Sequence, residues 1–264
     1  MKFCLTLSLC AIASFLKSQN LTRYSTSHQV GWYNYFGTFQ LSNAISVHTE
    51  YQWRRSAWIT QWQQSLLRVG INYHIHPKST LRIGYGWIET FAYGKIPIHP
   101  MGKTFTEHRL FQALIFTDKI TNFDFLHRIK FEQRWLGTYS QPTLTQEDKY
   151  TLAFRARYMF RTQYSFKKNI QDTRFIYLAA YDEVFIGFGK NVNENVFDQN
   201  RLALLIGYQS DVVFKLEGGY FYQILQLGRE INNQSIWQYN QGIILNLYIQ
   251  KKLRKQPENY LERL

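Results

Sequence analysis

Strict alternation of apolar and polar residues, recurring in eleven separate segments, is the feature that most restricts what this 264-residue chain can become. The segments run roughly over 29–40, 44–55, 61–75, 79–93, 107–118, 122–136, 149–163, 173–187, 197–209, 212–227 and 235–250. A period of two is the signature of a strand with one apolar and one polar face, and helical spacing is scarce throughout. Turn chemistry separates the segments: Ser42-Asn43, His76-Pro77-Lys78-Ser79, Asp118 to Asn122, Lys168-Asn169 and Ser210-Asp211. No linker or shift in composition divides them, so the chain reads as a single all-β domain. At about 12 to 16 residues the segments exceed the usual strand of about five or six. Strands that cross a bilayer need ~9–11 tilted residues plus extensions beyond the hydrocarbon. Length therefore predicts an antiparallel membrane barrel.

The faces sort cleanly. In "FLHRIKFEQRWL" (125–136), Phe125, Ile129, Phe131 and Trp135 share one parity, and Arg128, Lys130, Glu132 and Arg134 the other, with Asp124 just before them. Leu67, Val69, Ile71 and Tyr73 oppose Arg68, Gly70 and Asn72, and Leu202, Leu204, Ile206 and Tyr208 oppose Arg201 and Gly207. Segment 149–163 sets Tyr158 and Phe160 against Arg155, Arg157 and Arg161. Only 173–187 is ambiguous, because Asp182 and Glu183 cannot share a face.

A soluble barrel also alternates, with its apolar face inward. Three features favour the inverted arrangement. Tyr73, Tyr85, Trp87, Trp135, Trp237 and Tyr239 lie on the apolar face near segment ends, as in the aromatic girdles of membrane barrels. Glycines 70, 84, 86, 207, 219 and 242 fall on the polar face, where a crowded interior needs small residues and a solvated one does not. The third is a leader: Lys2 precedes an apolar run of about a dozen residues, too short for a stable anchor. Residues 1–18 are expected to be a signal peptide, 19–250 the barrel and 251–264 a basic periplasmic tail. A lipid-facing cation costs ~2–4 kcal/mol at the midplane, so the three on one face of 125–136 belong inside. An even strand number is expected, about 12 with 10 as the alternative. The longer connections, 94–106, 137–148, 188–196 and 228–234, all fall on one side of such a barrel, which leaves one strand to be sought in residues 21–28.

Charge and cysteine content narrow the partners. The formal net charge is +13, and about +11 without Lys2 and Lys17. An exported chain with dispersed cations is not expected to bind nucleic acid. Both cysteines, Cys4 and Cys10, lie in the leader, and Leu9 before Cys10 departs from a lipoprotein motif. The expected surroundings are outer-membrane lipid and lipopolysaccharide of a Gram-negative cell. Asn240-x-Gly242-x-x-Leu245-x-Leu247 resembles the final-strand signal read by the barrel-assembly machinery, although 17 residues follow it.

No catalytic set, metal site or cofactor site is assigned. His108 beside Glu107 and Arg109 suggests a base with an orienting acid, but no nucleophile motif accompanies it, and these residues read better as charged rungs of an interior network. His74-x-His76 borders Pro77 at a turn and is a poor metal pair. The feature with functional content is an interior rich in cations: Glu50, Arg54, Arg68, Arg82, Arg109, Asp124, Arg128, Lys130, Glu132, Arg134, Arg155, Arg157, Arg201, Lys215 and Glu217. It predicts either a narrow pore preferring anions or a binder of small solutes. The alternatives are an outer-membrane lipid-modifying enzyme and a soluble periplasmic binding barrel.

A set of short stretches also carries a resemblance: "LLRVGINY" (66–73), "IGYGW" (83–87), "EHRLFQ" (107–112), "HRIKFEQR" (127–134), "RARYMF" (155–160), "DEVFIGFG" (182–189), "FDQNRLALLIGYQ" (197–209) and "LEGGYFYQ" (216–223). Together they resemble an uncharacterised family of Bacteroidetes outer-membrane β-barrel proteins, a domain of unknown function family numbered 2490. The resemblance implies an outer-membrane barrel and carries over no catalytic residue.

Overall fold

A computed structural model describes residues 23–253, apart from 168, 170 and 193–195. The leader 1–18 and positions 254–264 of the expected tail lie outside the described residues. Eleven strands follow one another: β1 (Arg23–Gln40), β2 (Ile45–Ser56), β3 (Gln61–His76), β4 (Ser79–Thr90), β5 (Phe105–Ile120), β6 (Phe123–Thr138), β7 (Lys149–Ser165), β8 (Phe175–Phe188), β9 (Phe197–Gln209), β10 (Phe214–Ile231) and β11 (Gln234–Lys252). Each pairs antiparallel with its chain neighbours, and the sheet closes between β1 and β11. No helix occurs among the described residues.

The closing seam corrects the strand count from about 12 to 11. It is parallel, running from Arg23 opposite Ser235 to Gln40 opposite Lys252. Residues 23–28 extend β1 and form no separate strand. A barrel needs every edge paired, and a parallel ladder meets that need as an antiparallel one does. The odd count follows, with β1 beginning at the end of the barrel opposite to that at which β11 finishes. Lys251 and Lys252, expected to open a tail, instead belong to β11, opposite Phe39 and Gln40.

Connections sort by end. One end, called here the loop end, carries 57–60, 91–104, 139–148, 189–196 and the two-residue turn Asn232-Asn233. The other, the turn end, carries 41–44, 77–78, 121–122, 166–174 and 210–213. The expected long connection 228–234 is instead the end of a tight hairpin. Asn232 and Asn233 both adopt positive φ, 51° and 59°, which matches the twist of the flanking strands as a type I′ turn does. At 210–213, Asp211 Oδ1 accepts hydrogen bonds from the backbone N–H groups of Val213 (2.7 Å) and Phe214 (2.8 Å), which starts β10.

Parity places the side chains. Leu204, Ile206 and Ile71 point outward, each about three-fifths exposed, as do Tyr85, Trp87, Phe131 and Tyr158. Arg68, Arg109, Lys130, Glu132, Arg155 and Glu217 point inward and are buried. Polar exceptions on the outer face satisfy one another: Gln112 and Gln133 exchange two side-chain hydrogen bonds (3.1 and 3.2 Å), and His127 Nδ1 meets the Tyr158 hydroxyl at 2.8 Å. Glu183 faces inward and Asp182 outward, which settles the ambiguous segment. The interior is not uniformly polar, as the alternation had suggested. Val30, Trp32, Tyr177, Ala179, Ala203, Leu205, Phe221 and Ile244 form an apolar cluster lining the β1 and β8–β11 side, and the charges concentrate on β2–β7. Gly207 makes room in that cluster. A Cβ there would lie 2.0 Å from the Tyr177 ring, so only glycine lets the ring cross it.

Candidate functional site

Inward parity brings charges from strands far apart in sequence into contact, and the carboxylates organise them. Glu132 on β6 accepts from Arg155 Nε and Nη2 (2.9 and 2.6 Å) and from Arg157 Nη1 (2.6 Å) on β7. Arg157 also donates to Glu183 on β8 (2.8 and 3.1 Å), which Arg128 reaches at 2.8 Å. Arg155 donates to Asp198 at 2.6 Å. Glu50 pairs with Arg68 and sits 3.3 Å from His48 Nε2. Glu107 holds both Arg109 and Arg134, the latter through two bonds of 2.6 and 3.1 Å. Glu217 gathers Arg161 (2.7 and 3.1 Å), Tyr177 (2.9 Å), Asn246 (2.8 Å) and Tyr248 (2.8 Å).

Other expected network members stand apart from these pairs. Arg82 donates to Asn72 Oδ1 at 2.6 Å, and Lys215 to Gln163 Oε1 at 3.0 Å. Lys130 is buried with its ammonium 4.7 Å from the Phe111 ring centre, and no ion pair of Lys130 occurs among the described residues. Asp124 lies at the turn end, two-fifths exposed and 3.9 Å from Lys119. Four residues central to the pairing lie outside the expected cation-rich set: Glu107, Arg161, Glu183 and Asp198. Parity puts Arg161 on the face of Arg155 and Arg157, and Glu107 is the interior rung expected beside Arg109. Glu183 and Asp198 needed the three-dimensional register.

His108 is not a rung of this network. It projects outward against the Tyr85 hydroxyl, whereas Glu107 and Arg109 project inward. The strand wall separates base from acid, so they cannot act as a dyad. His74 bonds Ser46 and Thr80 (3.0 and 3.1 Å), while His76 accepts from the Lys78 backbone at the turn (3.2 Å).

Two cavities flank the paired charges. The one towards the loop end, about 340 Å³, is lined by seven guanidinium groups (Arg54, Arg68, Arg109, Arg134, Arg155, Arg157 and Arg201) and two carboxylates, Glu107 and Asp198. The other, about 380 Å³ at the turn end, takes Lys78, Lys119, Arg161 and Lys215 against Asp118 and Asp124. Buried Glu50, Lys130, Glu132, Glu183, Phe111 and Met159 line neither cavity.

Arg54 and Arg201 differ from the other cavity arginines because their hydrogen-bond partners are amides. Arg54 donates to Gln52 and to Gln64 (2.7 Å), and Arg201 to Gln199 (2.8 and 3.2 Å). Both approach the Trp32 indole, with guanidinium carbons 3.9 and 4.8 Å from its centre. They are therefore no more than about 9 Å apart. At an effective dielectric of about 20, two like charges at that distance repel by on the order of 2 kcal/mol.

The 91–104 loop folds over this cavity. Tyr93 donates to Gln238 Oε1 (3.1 Å), Gln238 Nε2 donates to the Ile96 carbonyl (2.7 Å), and Arg229 donates to the Pro97 carbonyl (2.7 Å). Ile96 packs with Leu227 and Ile236, so the loop is held by both apolar and polar contacts.

Among solved structures the chain is similar to that of the NanC porin in a rhombohedral crystal form, at 14% sequence identity, over 78% of this chain and 92% of that one, with a TM-score of 0.42. No curated protein matches the sequence. Sequence comparison is more decisive about kinship: the family described as "Protein of unknown function (DUF2490)" matches residues 29–234, more than half of the chain, and the chain belongs to it.

Proposed function

We propose that the protein is an outer-membrane β-barrel that admits small anions into a cationic interior cavity at its loop end. The observation that carries this reading is the lining of that cavity, seven guanidinium groups against two carboxylates. Low-dielectric walls focus such a field, raising the local concentration of anions and repelling cations. The outer wall supports a membrane setting: Leu204, Ile206, Ile71 and Ile83 are all more than half exposed, an arrangement that water disfavours and lipid accepts. The buried charge pairs that belong to neither cavity favour holding an anion over passing it.

The test has two parts. The folded protein in detergent should migrate differently on gels before and after boiling and fractionate with membranes. In planar bilayers under a salt gradient, any current should reverse on the anion side. Cation selectivity, or recovery as a soluble protein without detergent, overturns the proposal.

A further inference from the structure

We infer that Arg54 and Arg201, set against Trp32, form a subsite for a compact dianion such as phosphate. This rests on the reading of the cavity as an anion site and deepens it by naming a place and a charge. The argument begins with pairing. Every other arginine lining the cavity donates to a carboxylate: Arg68 to Glu50, Arg109 and Arg134 to Glu107, Arg155 to Glu132 and Asp198, and Arg157 to Glu132 and Glu183. Arg54 and Arg201 are as buried as these, yet they meet only glutamine oxygens. Desolvated cations are costly unless an opposite charge meets them. Among the described residues no carboxylate contacts either of this pair: Glu183, opposite Arg201 across the strands, is held by Arg128 and Arg157, and Glu50 is held by Arg68. Two positive charges beside one ring match two negative charges on one ligand.

Donor capacity agrees. A guanidinium offers five N–H groups. Arg201 uses Nε and Nη2 on Gln199, and Nη1, which makes no hydrogen bond among the described residues, has two hydrogens to offer a ligand oxygen. The orientation is fixed from behind, because Gln199 also accepts from Gln223, and Gln223 accepts from Asn240 at 3.0 Å. On the other side, Gln64 takes one bond from Arg54 and itself donates to Thr90 at 2.8 Å. Trp32 is held by its own bond to Gln63 at 2.7 Å, which fixes the ring that both cations approach. The site is thus built before any ligand arrives, and charge matching favours a doubly over a singly charged oxyanion.

Titration calorimetry on the full-length protein in detergent, with inorganic phosphate and with sulfate, tests this. Both should bind at pH 8. At pH 5.5 phosphate becomes a monoanion and should weaken, while sulfate, a dianion at both values, should not. Arg54→Gln and Arg201→Gln should each lower sulfate affinity by at least about tenfold, the usual worth of a charge-assisted hydrogen bond. Lys119→Gln removes one positive charge at the turn end, outside the loop-end cavity, and should change affinity by less than about threefold. Equal losses in all three variants, or no binding by a protein that is nevertheless anion-selective in bilayers, overturn the subsite and leave the cavity reading intact. No binding together with cation selectivity removes both. The gel shift on boiling shows that each variant has folded.

Discussion

Replacing Glu217 with glutamine should cost about 3 kcal/mol, and the structure says which bonds are lost. The carboxylate is fully buried on β10 and accepts five hydrogen bonds. Oε1 takes those of Arg161 Nη1, Asn246 and Tyr248, and Oε2 takes those of Arg161 Nη2 and Tyr177. A glutamine of the same shape retains one acceptor oxygen and would place it where three donors converge. Its NH₂ then faces Tyr177 and the second guanidinium nitrogen. Two bonds to a charged acceptor disappear, that of the guanidinium and that of Tyr177, each worth ~1.5–3 kcal/mol, and the lower end of that range gives the total of about 3 kcal/mol. Tyr177→Phe alone should cost about 1.5 kcal/mol. In the double variant the Tyr177 bond is already gone, so its cost should match that of Glu217→Gln to within about 0.5 kcal/mol. Equilibrium unfolding in denaturant, followed by tryptophan fluorescence in detergent or lipid, measures all three. A cost below about 1 kcal/mol for Glu217→Gln, or full additivity in the double variant, refutes the account of Glu217 as an organising centre.

Further outcomes follow from the same interior. Gly207→Ala should destabilise by ~1–3 kcal/mol, because its Cβ occupies the position of the Tyr177 ring; unchanged stability in the same unfolding assay argues against that close approach. Lys130→Met should be neutral or stabilising by up to ~2 kcal/mol, since the buried ammonium forms no ion pair or side-chain hydrogen bond among the described residues and its direct contact is the Phe111 ring, and a loss above about 2 kcal/mol contradicts this. His99 in the 91–104 loop has its pKa held below the ordinary 6.5, first by burial and then by Arg229 and Lys103, with Glu147 opposing. Its neutral form is the one favoured in the folded loop. Stability from this group is full above about pH 6.5 and declines as pH falls from there towards the lowered value, so hydrogen exchange in 91–104 should quicken at pH 5 relative to pH 8 after correction for intrinsic rates. The change should vanish in His99→Phe; slower or equal exchange at pH 5 in the unaltered protein counts against it.

Lys130, Arg54 and Arg201 form an informative contrast. All three are buried cations without an ion pair among the described residues, but their surroundings differ. Lys130 has an aromatic face and makes no hydrogen bond among the described residues, whereas the two arginines are braced by glutamines and line a cavity. Bracing of that kind orients donors towards a space and fixes the direction in which their remaining N–H groups point.

Much of the outer wall was legible in the order of residues. In 125–136 the parity rule placed Phe131 and Ile129 outside and Lys130 and Glu132 inside, because side chains of a strand alternate whatever the rest of the chain does. Glycines on the inward parity marked crowding, and Gly207 under Tyr177 is an instance. The limit came where two adjacent residues competed for one face, as with Asp182 and Glu183, and where an inward residue was apolar. Ala203, Leu205 and Phe221 carry no alternation that separates them from the outer face, so the apolar half of the interior was invisible.

The sequence by itself determined the period, and with it the class of fold, the identity of the outward face and most of the turns, since these depend on neighbours two to four residues apart. Tertiary structure decided how the sheet closes: eleven strands with a parallel seam between β1 and β11. It also decided which charges neutralise which. Arg155 meets Asp198 across 43 positions and Arg161 meets Glu217 across 56, contacts fixed by barrel register and curvature rather than by local pattern. That pairing engages Glu50 and Glu183 with other arginines and leaves Arg54 and Arg201 without a contacting carboxylate among the described residues, and so turns a generally basic interior into a particular place where an anion can sit.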